Sequence, residues 1–262
     1  MYLSQKQIDD YQNLGAIIIK DAFKDWIEPL RTGFQKVLDN PSQHGRENVT
    51  ENQGRFFEDY CNWERIDEFK DCMFNSRATQ IVAEATNSKS IQIFHDHIFI
   101  KEPGTNKETP WHQDMPYYCV DGDDTGSFWI PLDEVNKENN LKLILRSHKW
   151  QKLLRPTKWS NDQPWYENDS SFMNLPKKEE FEEDVLVPDL KLGDAVLFNF
   201  KTVHGSTGNQ SSQSRRAFSM RFIGDDVTFV ERGGPTSPPF DGINLKSGDQ
   251  MKGDWFPKVF SN

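Results

Sequence analysis

The sequence has few of the features that define secreted or membrane proteins. It contains three cysteines, Cys61, Cys72 and Cys119, and an odd number of widely spaced thiols predicts reduced side chains and a cytoplasmic location. No apolar run approaches the roughly 18 residues that a membrane-spanning helix needs. Residues 1–10 carry no apolar signal core. These absences argue against a membrane partner.

Positive charge is also scarce. The 31 lysines and arginines are outnumbered by 41 aspartates and glutamates, which leaves a net charge of −10. Nucleic acids and anionic membranes both require a basic surface, so neither is an expected partner. The same balance disfavours a polyanionic substrate such as an acyl-CoA and favours a small free metabolite. The sequence also lacks internal repeats and a glycine-rich phosphate loop.

The remaining pattern predicts one domain of 262 residues that is mainly β with flanking helices. Residues 1–88 are expected to be largely helical, with one short apolar strand over Ala16 to Lys20. Ser4 to Gln7 forms a capping box, Gly15 ends that helix, and Asp25 to Glu28 is interpreted as a second capping box. At least six short strands with turn signals follow over about 90–225, as in a sandwich or jelly roll. Residues 226–262 are expected to wrap around the domain as an extended tail.

The segment Trp111-His112-Gln113-Asp114 carries the main chemical signal. On a β-strand, side chains two residues apart share a face, so His112 and Asp114 would converge while Gln113 points away. His204, after a later predicted strand, would complete two nitrogens and one oxygen around a metal ion. This is the facial triad of non-haem Fe(II) oxygenases, which leaves coordination positions open. An H-x-D triplet alone is weak evidence, so its context decides.

The other histidines are weaker metal candidates. His95 and His97 are also two residues apart, but no carboxylate shares their face, because Asp96 points the other way. His148 is interpreted as a structural histidine. His44 lies in a polar loop and is assigned no role.

Several segments, in a fixed order over roughly residues 90–225, resemble the phytanoyl-CoA dioxygenase family. They are Lys101 to Gly104, Pro110 to Tyr118, Trp129 to Asp133, Ser147 to Lys149, Gly193-Asp194, His204-Gly205-Ser206 with Asn209, and Arg215-Arg216-Ala217. Two sites depart from the family pattern, which often has glycine in the turns around the strand at 141. Here those turns read Asn139-Asn140 and Arg146-Ser147-His148, which puts the turn geometry in question but not the metal site.

The resemblance implies a double-stranded β-helix fold (a cupin-like jelly roll) and an oxygenase that uses Fe(II), 2-oxoglutarate and O2. It assigns the three iron ligands to His112, Asp114 and His204. It further implies that 2-oxoglutarate contacts Arg215, through its far carboxylate, together with Ser206, Trp129, His97 and, by a weaker alignment, Arg55. Arginine suits a carboxylate because its planar fork binds both oxygens.

Strand alternation distinguishes the neighbouring arginines. Arg216, Phe218, Met220 and Phe222 form a mainly apolar face expected to pack outward on helices, which places Arg215 and Arg221 in the lumen. Arg221 then either meets an anionic group of the substrate or forms a structural salt bridge.

The predicted function is hydroxylation of an unactivated C–H bond of a small metabolite, with release of succinate and CO2. The alternatives are an acyl-CoA hydroxylase of the same mechanism and a non-catalytic jelly-roll binding or sensor protein. A halogenase is set aside, because such enzymes replace the carboxylate ligand that Asp114 supplies here.

Two aromatic segments have open interpretations. Residues 55–69 either pack on the core or partly form the wall of a pocket. Residues 149–187 are polar but carry Trp150, Trp159, Trp165 and Tyr166. They form either a lid over the barrel mouth or a fixed surface excursion packed on the helices.

Overall fold

The computed structural model describes residues 1–48, 54–159, 163–166 and 170–261. In this part of the chain four α-helices precede most of the strands: α1 Gln5–Leu14, α2 Ile27–Asp39, α3 Asp67–Asn75 and α4 Ala78–Thr86. Short 3-10 turns cover Lys24–Trp26, Met115–Tyr117, Ser147–Lys149, Lys178–Glu180 and Glu182–Asp184. None of the described helices is long and apolar enough to cross a membrane.

The first predicted helix start is confirmed and the second is wrong. The Ser4 side chain accepts from the Gln7 amide while the Gln7 side chain accepts from the Ser4 amide, and Gly15 ends α1 with a left-handed φ of 80°. Helix α2 instead begins at Ile27, and its N-cap, Trp26, makes no side-chain capping bond. The 3-10 turn at Lys24–Trp26 occupies the predicted cap, so backbone turns replace the side-chain acceptor there.

The strands form two main sheets. They are β1 Ala16–Ile19, β2 Arg46–Glu47, β3 Phe56–Tyr60, β4 Ser90–Lys101, β5 Thr109–His112, β6 Val120–Asp121, β7 Thr125–Pro131, β8 Leu141–Ile144, β9 Val185–Leu186, β10 Ala195–Phe198, β11 His204–Ser206, β12 Arg215–Ile223, β13 Thr228–Phe229 and β14 Lys258–Ser261. The major sheet has the order β1-β10-β7-β12-β4-β3-β2, with β14 also paired to β4. The minor sheet has the order β5-β11-β8-β9, and β13 pairs with β6.

The helices cover one face of the major sheet. Phe218, Met220 and Phe222 of β12 are buried in the same cluster as Phe34 of α2 and Phe69 of α3. The opposite face of the sheet looks toward the minor sheet. The predicted alternation of β12 is therefore confirmed, with its apolar face on the helices.

The sheet recruits strands from outside the predicted β region. Strand β1 confirms the short strand predicted at Ala16 to Lys20, and β3 comes from the segment expected to be largely helical. The C-terminal tail ends in β14, which adds to β4 rather than only wrapping. Side chains alternate between the two faces of β3, so its aromatic residues both pack on the core and form part of a pocket wall. Phe57 packs in the helix-covered core, whereas Phe56 and Tyr60 face the space between the sheets.

The two atypical turns keep their geometry without glycine. Arg146 adopts a left-handed φ of 65°, a conformation that glycine reaches with less strain, and its amide donates to the Leu14 carbonyl. The Asn140 side chain accepts from the Leu141 amide and donates to the Pro188 carbonyl. Side-chain hydrogen bonds and tertiary contacts thus hold turns in which the family often has glycine.

Candidate active site

A cavity of about 550 Å³ lies between the two sheets. Many of its lining side chains are aromatic: Phe56, Tyr60, Phe99, Tyr117, Tyr118, Trp129, Trp159, Trp165 and Phe198. Polar and charged side chains interrupt this lining: Arg46, Glu58, His95, His97, His112, Asp114, Lys158, His204, Ser206, Arg215, Ser219 and Arg221. The three predicted iron ligands therefore open into one aromatic-walled space.

His112 and Asp114 converge, but not for the reason that strand alternation predicts. Strand β5 ends at His112, and Asp114 has helical backbone angles, φ −69° and ψ −45°, as the cap of the Met115–Tyr117 turn. The change from strand to turn between these residues therefore places the Asp114 carboxylate beside the His112 imidazole. Gln113 does point away, because its side chain donates to the Lys201 carbonyl and accepts from the Leu154 amide. It ties the motif to two other loops.

His204 reaches the same point from β11, where it lies in register with His112 of β5. Close approach of the two strands explains the next residue. A side chain at Gly205 would place its Cβ 2.9 Å from the Thr109 carbonyl oxygen. Glycine therefore keeps the two histidine-bearing strands in contact.

Both ligand histidines present the same nitrogen to the cavity. Nδ1 of His112 lies 2.8 Å from the Pro110 carbonyl oxygen, and Nδ1 of His204 lies 3.0 Å from that of Thr202. A carbonyl only accepts, so each Nδ1 carries the proton and Nε2 keeps its lone pair. Burial lowers the pKa of His112 to about 3, with a further contribution from His204. Burial also lowers the pKa of His204, so both rings are neutral metal donors.

Asp114 is oriented by Arg221. The guanidinium Nε donates to Oδ2 of Asp114 over 3.1 Å, and both side chains are at least 94% buried. Burial opposes ionisation, but the charge and hydrogen bond of Arg221, together with His204 and His112, hold the pKa of Asp114 below its usual range. The carboxylate is therefore ionised, with one oxygen engaged and Oδ1 turned to the histidines. Of the two readings of Arg221, the geometry shows a salt bridge.

The donor atoms fit a divalent transition metal. Oδ1 of Asp114 lies 3.8 Å from Nε2 of His112 and 3.9 Å from Nε2 of His204. One ligand atom from each residue lies within 4.8 Å of the other two. Two neutral imidazoles and one carboxylate on one side of an open cavity match the ligand set of non-haem Fe(II) sites.

Arg215 lies six residues before Arg221 on the same face of β12. Its Nη1 donates to the Asn139 carbonyl and its Nη2 lies 3.4 Å from Ser206 Oγ. Its Nε has no hydrogen-bond partner among the described residues, and its side chain forms no ion pair there. Burial lowers the pKa of Arg215 to about 10, still well above neutral pH. The guanidinium is a buried cation without a counter-ion in the described part of the chain.

The other expected co-substrate contacts divide into two groups. Trp129 and His97 line the cavity, each in register with Ser219 of β12, and Nε2 of His97 lies 3.2 Å from Glu58. Arg55 does not reach the cavity. It pairs with Glu47 over 2.7 Å and stacks on Phe57, because it precedes the cavity-facing Phe56 and points to the opposite side.

The long segment 149–187 contributes to the cavity wall. The ring of Trp159 lies 4.8 Å from that of His112, and Trp165 packs 5.4 Å from Tyr117. Nε1 of Trp165 donates to the Pro235 carbonyl of the C-terminal tail. The described part of this segment therefore packs on the barrel mouth and on the tail; residues 160–162 and 167–169 lie outside the described residues.

Sequence reasoning missed several charged residues near the cavity, and Glu58 and Lys101 are two of them. Glu58 lies on β3 opposite Phe99, and Lys101 ends β4 opposite Arg215. Lys101 shares the phase of His95 and His97 along β4, so the alternation that was applied to β12 would have placed it inward. Glu58 lacked such a signal, because β3 was not identified as a strand.

The sequence comparisons agree with this geometry. The sequence profile of phytanoyl-CoA dioxygenase (PhyH) matches residues 11–217. A phytanoyl-CoA dioxygenase of Arabidopsis thaliana is 26% identical over 163 residues, which cover 60% of this chain and 53% of that protein. Phytanoyl-CoA dioxygenase 1 of Oryza sativa subsp. japonica is 26% identical over 159 residues, covering 59% and 52%. The chain thus spans about half the length of the curated relatives it matches.

Solved structures show the same fold. The α-ketoglutarate-dependent carbocyclase SnoK from nogalamycin biosynthesis superposes with a TM-score of 0.77 at 18% identity, covering 98% of this chain and 96% of that one. The epimerase SnoN, in complex with Fe3+, α-ketoglutarate and nogalamycin RO, gives 0.77 at 15% identity, covering 97% and 98%. EctD from S. alaskensis, with 2-oxoglutarate and 5-hydroxyectoine, gives 0.65 at 19% identity, covering 85% and 76%. The expected jelly-roll fold is confirmed.

The family match extends over residues 11–217, which is most of the chain. Its boundaries include β1, helices α2 to α4, the segments that carry the proposed metal ligands and the first residues of β12. The expectation drawn from the sequence motifs is confirmed: this chain belongs to the phytanoyl-CoA dioxygenase family.

Proposed function

We propose that this chain is an Fe(II)- and 2-oxoglutarate-dependent dioxygenase that hydroxylates an unactivated C–H bond of a small-molecule metabolite. One observation carries the proposal. His112, Asp114 and His204 converge in a cavity that also holds Arg215, a buried guanidinium with no ion pair among the described residues. A metal site beside an uncompensated cation suits a co-substrate that is both a chelator and a carboxylate.

The reaction consumes 2-oxoglutarate, O2 and R–H and yields succinate, CO2 and R–OH. Bound Fe(II) supplies the activation of O2 that couples decarboxylation to oxygen insertion. The protein side chains position the reactants: His112, Asp114 and His204 hold the metal, and Arg215 and Ser206 bind the far carboxylate. The aromatic walls, including Trp129 and Trp159, limit the access of water to the reacting centre.

The cavity limits the class of substrate. A volume of about 550 Å³ must hold the co-substrate as well, so only a small molecule or one end of a larger one fits inside. Its aromatic surface suits an apolar or flat portion of the substrate. Glu58 and His97, 3.2 Å apart on one wall, offer polar contacts to an oriented hydroxyl or amine.

An acyl-CoA hydroxylase is the second candidate, because both curated relatives are named phytanoyl-CoA dioxygenases. In that case the acyl chain would enter the cavity and the nucleotide would remain outside. Arg46 and Lys158 are the lysine and arginine side chains of the lining that do not belong to β12. The net charge of −10 opposes this binding mode and favours the free metabolite.

The test is a screen for succinate release by the Fe(II)-loaded protein with 2-oxoglutarate and O2. The screen tests four classes of compound: acyl-CoAs, amino acids, amines and phosphonates. The His112→Ala variant is the inactive control. Stimulation by a small metabolite but not by acyl-CoAs supports the proposal, and the reverse result supports the second candidate. No succinate above the His112→Ala level, with or without any compound, would indicate a non-catalytic binding protein.

Product mass identifies the type of oxidation. SnoK and SnoN are described as a carbocyclase and an epimerase, so the fold does not by itself determine the outcome. Hydroxylation adds one oxygen atom, ring closure removes two hydrogens, and epimerisation leaves the mass unchanged. The proposal requires the addition of one oxygen atom, derived from O2.

A further inference from the structure

Lys101 is a fully buried lysine that forms no ion pair with a carboxylate of the described residues. It ends β4 with 0% of its surface exposed, and its Nζ lies 4.5 Å from the centre of the Phe56 ring. The ammonium donates to the Thr207 carbonyl over 3.0 Å and to Ser206 Oγ over 3.3 Å. Within residues 1–48, 54–159, 163–166 and 170–261, no carboxylate forms an ion pair with it. Burial of such a charge is unfavourable unless a counter-ion is supplied.

A second buried cation lies beside it. Lys101 and Arg215 are in register across β4 and β12, so their side chains emerge from the same place in the sheet. Burial lowers the pKa of Lys101 well below its usual value, and the like charge of Arg215 lowers it further. Glu108 and Glu58 oppose this lowering electrostatically, but neither forms an ion pair with Lys101. Two neighbouring cations with no ion-paired carboxylate among the described residues form a site that a carboxylate would complete.

Ser206 links these cations to the cavity. Lys101 Nζ lies 3.3 Å and Arg215 Nη2 lies 3.4 Å from Ser206 Oγ. A hydroxyl oxygen has two lone pairs and one proton, so two N–H donors occupy its accepting capacity. The proton of Ser206 then remains available to donate. Ser206 and Arg215 line the cavity, whereas Lys101 lies outside the lining and acts through the serine.

We propose that Lys101 is a positioning residue of the co-substrate site, which holds the Ser206 hydroxyl as a donor toward the far carboxylate of 2-oxoglutarate and adds a second positive charge beside Arg215. The inference rests on the proposed use of 2-oxoglutarate and assigns a further residue to it. The proposed role of Lys101 predicts that the site selects among 2-oxo acids. The site favours a 2-oxo acid with two carboxylates over one that carries only the carboxylate next to the ketone.

The test measures binding rather than turnover. Protein loaded with Co(II) is titrated by calorimetry, without O2, with 2-oxoglutarate and separately with the monocarboxylate 2-oxobutyrate. Lys101→Met should weaken the binding of 2-oxoglutarate by about 10- to 100-fold, the usual size of a lost hydrogen bond to a charged group. Binding of 2-oxobutyrate should change by less than about threefold, because it has no far carboxylate to lose.

Two further variants separate this role from a structural one. Lys101→Gln keeps a donor for the Thr207 carbonyl without the charge, so it preserves the fold and should still weaken 2-oxoglutarate binding at least about fivefold. Lys142→Met is the matched control, since Lys142 is a partly exposed lysine opposite Gly205 on the adjacent strand β8. That control should bind both acids like the unaltered protein.

The outcomes are distinguishable from failure of the proposed function. If the unaltered protein binds Co(II) but not 2-oxoglutarate, the proposed function and this inference both fall. If the unaltered protein binds 2-oxoglutarate and Lys101→Gln binds it equally well, only this inference is overturned. Equal weakening of 2-oxoglutarate and 2-oxobutyrate in the folded variants also overturns it, because a general distortion of the site would act on both.

Discussion

The two arginines on the inner face of β12 have opposite surroundings. Arg221 donates to Asp114 over 3.1 Å and is neutralised within the protein. Arg215, six residues earlier, is also buried, but among the described residues its hydrogen bonds go to the Asn139 carbonyl and the Ser206 hydroxyl, and Lys101 lies beside it. One end of the lumen is thus internally charge-paired, while the other has an excess of positive charge among the described residues.

This difference separates a structural ion pair from a ligand site. A buried pair with good geometry stabilises its own charges and orients the groups that form it, as Arg221 does for Asp114, the proposed metal ligand. We propose that the buried cations without an ion pair mark a ligand site, because strongly perturbed charged groups in a cleft cluster at functional sites. The alternation of side chains along β12 places both Arg215 and Arg221 in the lumen and therefore does not distinguish them. The two arginines differ in the residues of other segments that they contact.

The largest expected effect is at the metal end. His112→Ala removes one of the three metal donors and should abolish 2-oxoglutarate turnover while leaving the fold intact. His148→Ala is the matched control, because His148 contacts the Gln12 carbonyl outside the cavity. Succinate release is the measurement, with circular dichroism to verify folding. Activity at a tenth of the unaltered level or more would disprove the ligand assignment.

Loss of the buried ion pair between Arg221 and Asp114 should lower the free energy of unfolding. Arg221→Gln leaves the Asp114 carboxylate buried without its cation and should destabilise the metal-free protein by about 3–5 kcal/mol. Arg216→Gln breaks the partly exposed pair with Asp133 and should cost about 0.2–1 kcal/mol. Urea unfolding of the two variants measures both values. Equal losses would mean that Arg221 and Asp114 do not form the pair described.

The metal-free site should also make stability depend on pH. The folded pKa of His112, about 3, is below its ordinary value of 6.5, so the unfolded chain binds a proton that the folded chain does not. The free energy of unfolding should therefore fall as the pH is lowered from about 6.5 toward 3, and His112 contributes nothing above that range. His112→Ala should make this dependence shallower. An identical dependence in both proteins would contradict the assignment of His112 as buried and neutral.

The smallest expected effect concerns the segment over the cavity mouth. If residues 149–187 act as a lid, amide hydrogen exchange across residues 155–185 should slow on addition of 2-oxoglutarate and the true substrate. Trp159 and Trp165 give the reason, because both line the space that these ligands would fill. Strong protection in the protein with metal alone, unchanged by either ligand, would identify a fixed surface segment instead.

The sequence predicted the metal ligands through motifs rather than through local geometry. Strand alternation was applied to His112 and Asp114, yet the strand ends at His112 and a turn presents Asp114. The family to which the motif belongs was recognised correctly, because the residue types and order of the motif are specific. Alternation worked on β12, where the strand extends over nine residues and the apolar face is continuous.

Tertiary pairing could not be derived from the chain alone. Nothing near Arg221 in the sequence indicates that its partner is Asp114, 107 residues away. Lys101 was visible only as part of a turn motif, and its register with Arg215 appears once β4 and β12 are paired. Arg55 was placed by weak alignment, and β3 turns it outward onto Glu47. Such contacts depend on strand register, which local patterns specify poorly for short strands.

The most direct test of the account is the 2-oxoglutarate dependence of succinate formation in two adjacent variants. Arg215→Ala removes a charge-assisted contact worth on the order of 2–5 kcal/mol, so its apparent KM for 2-oxoglutarate should rise by tens to thousands of fold. Arg216→Ala, which loses only an outward pair with Asp133, should retain the KM of the unaltered protein. Equal effects at both positions, or no succinate from the unaltered protein, would contradict the claim that the unpaired cation of β12 binds the co-substrate.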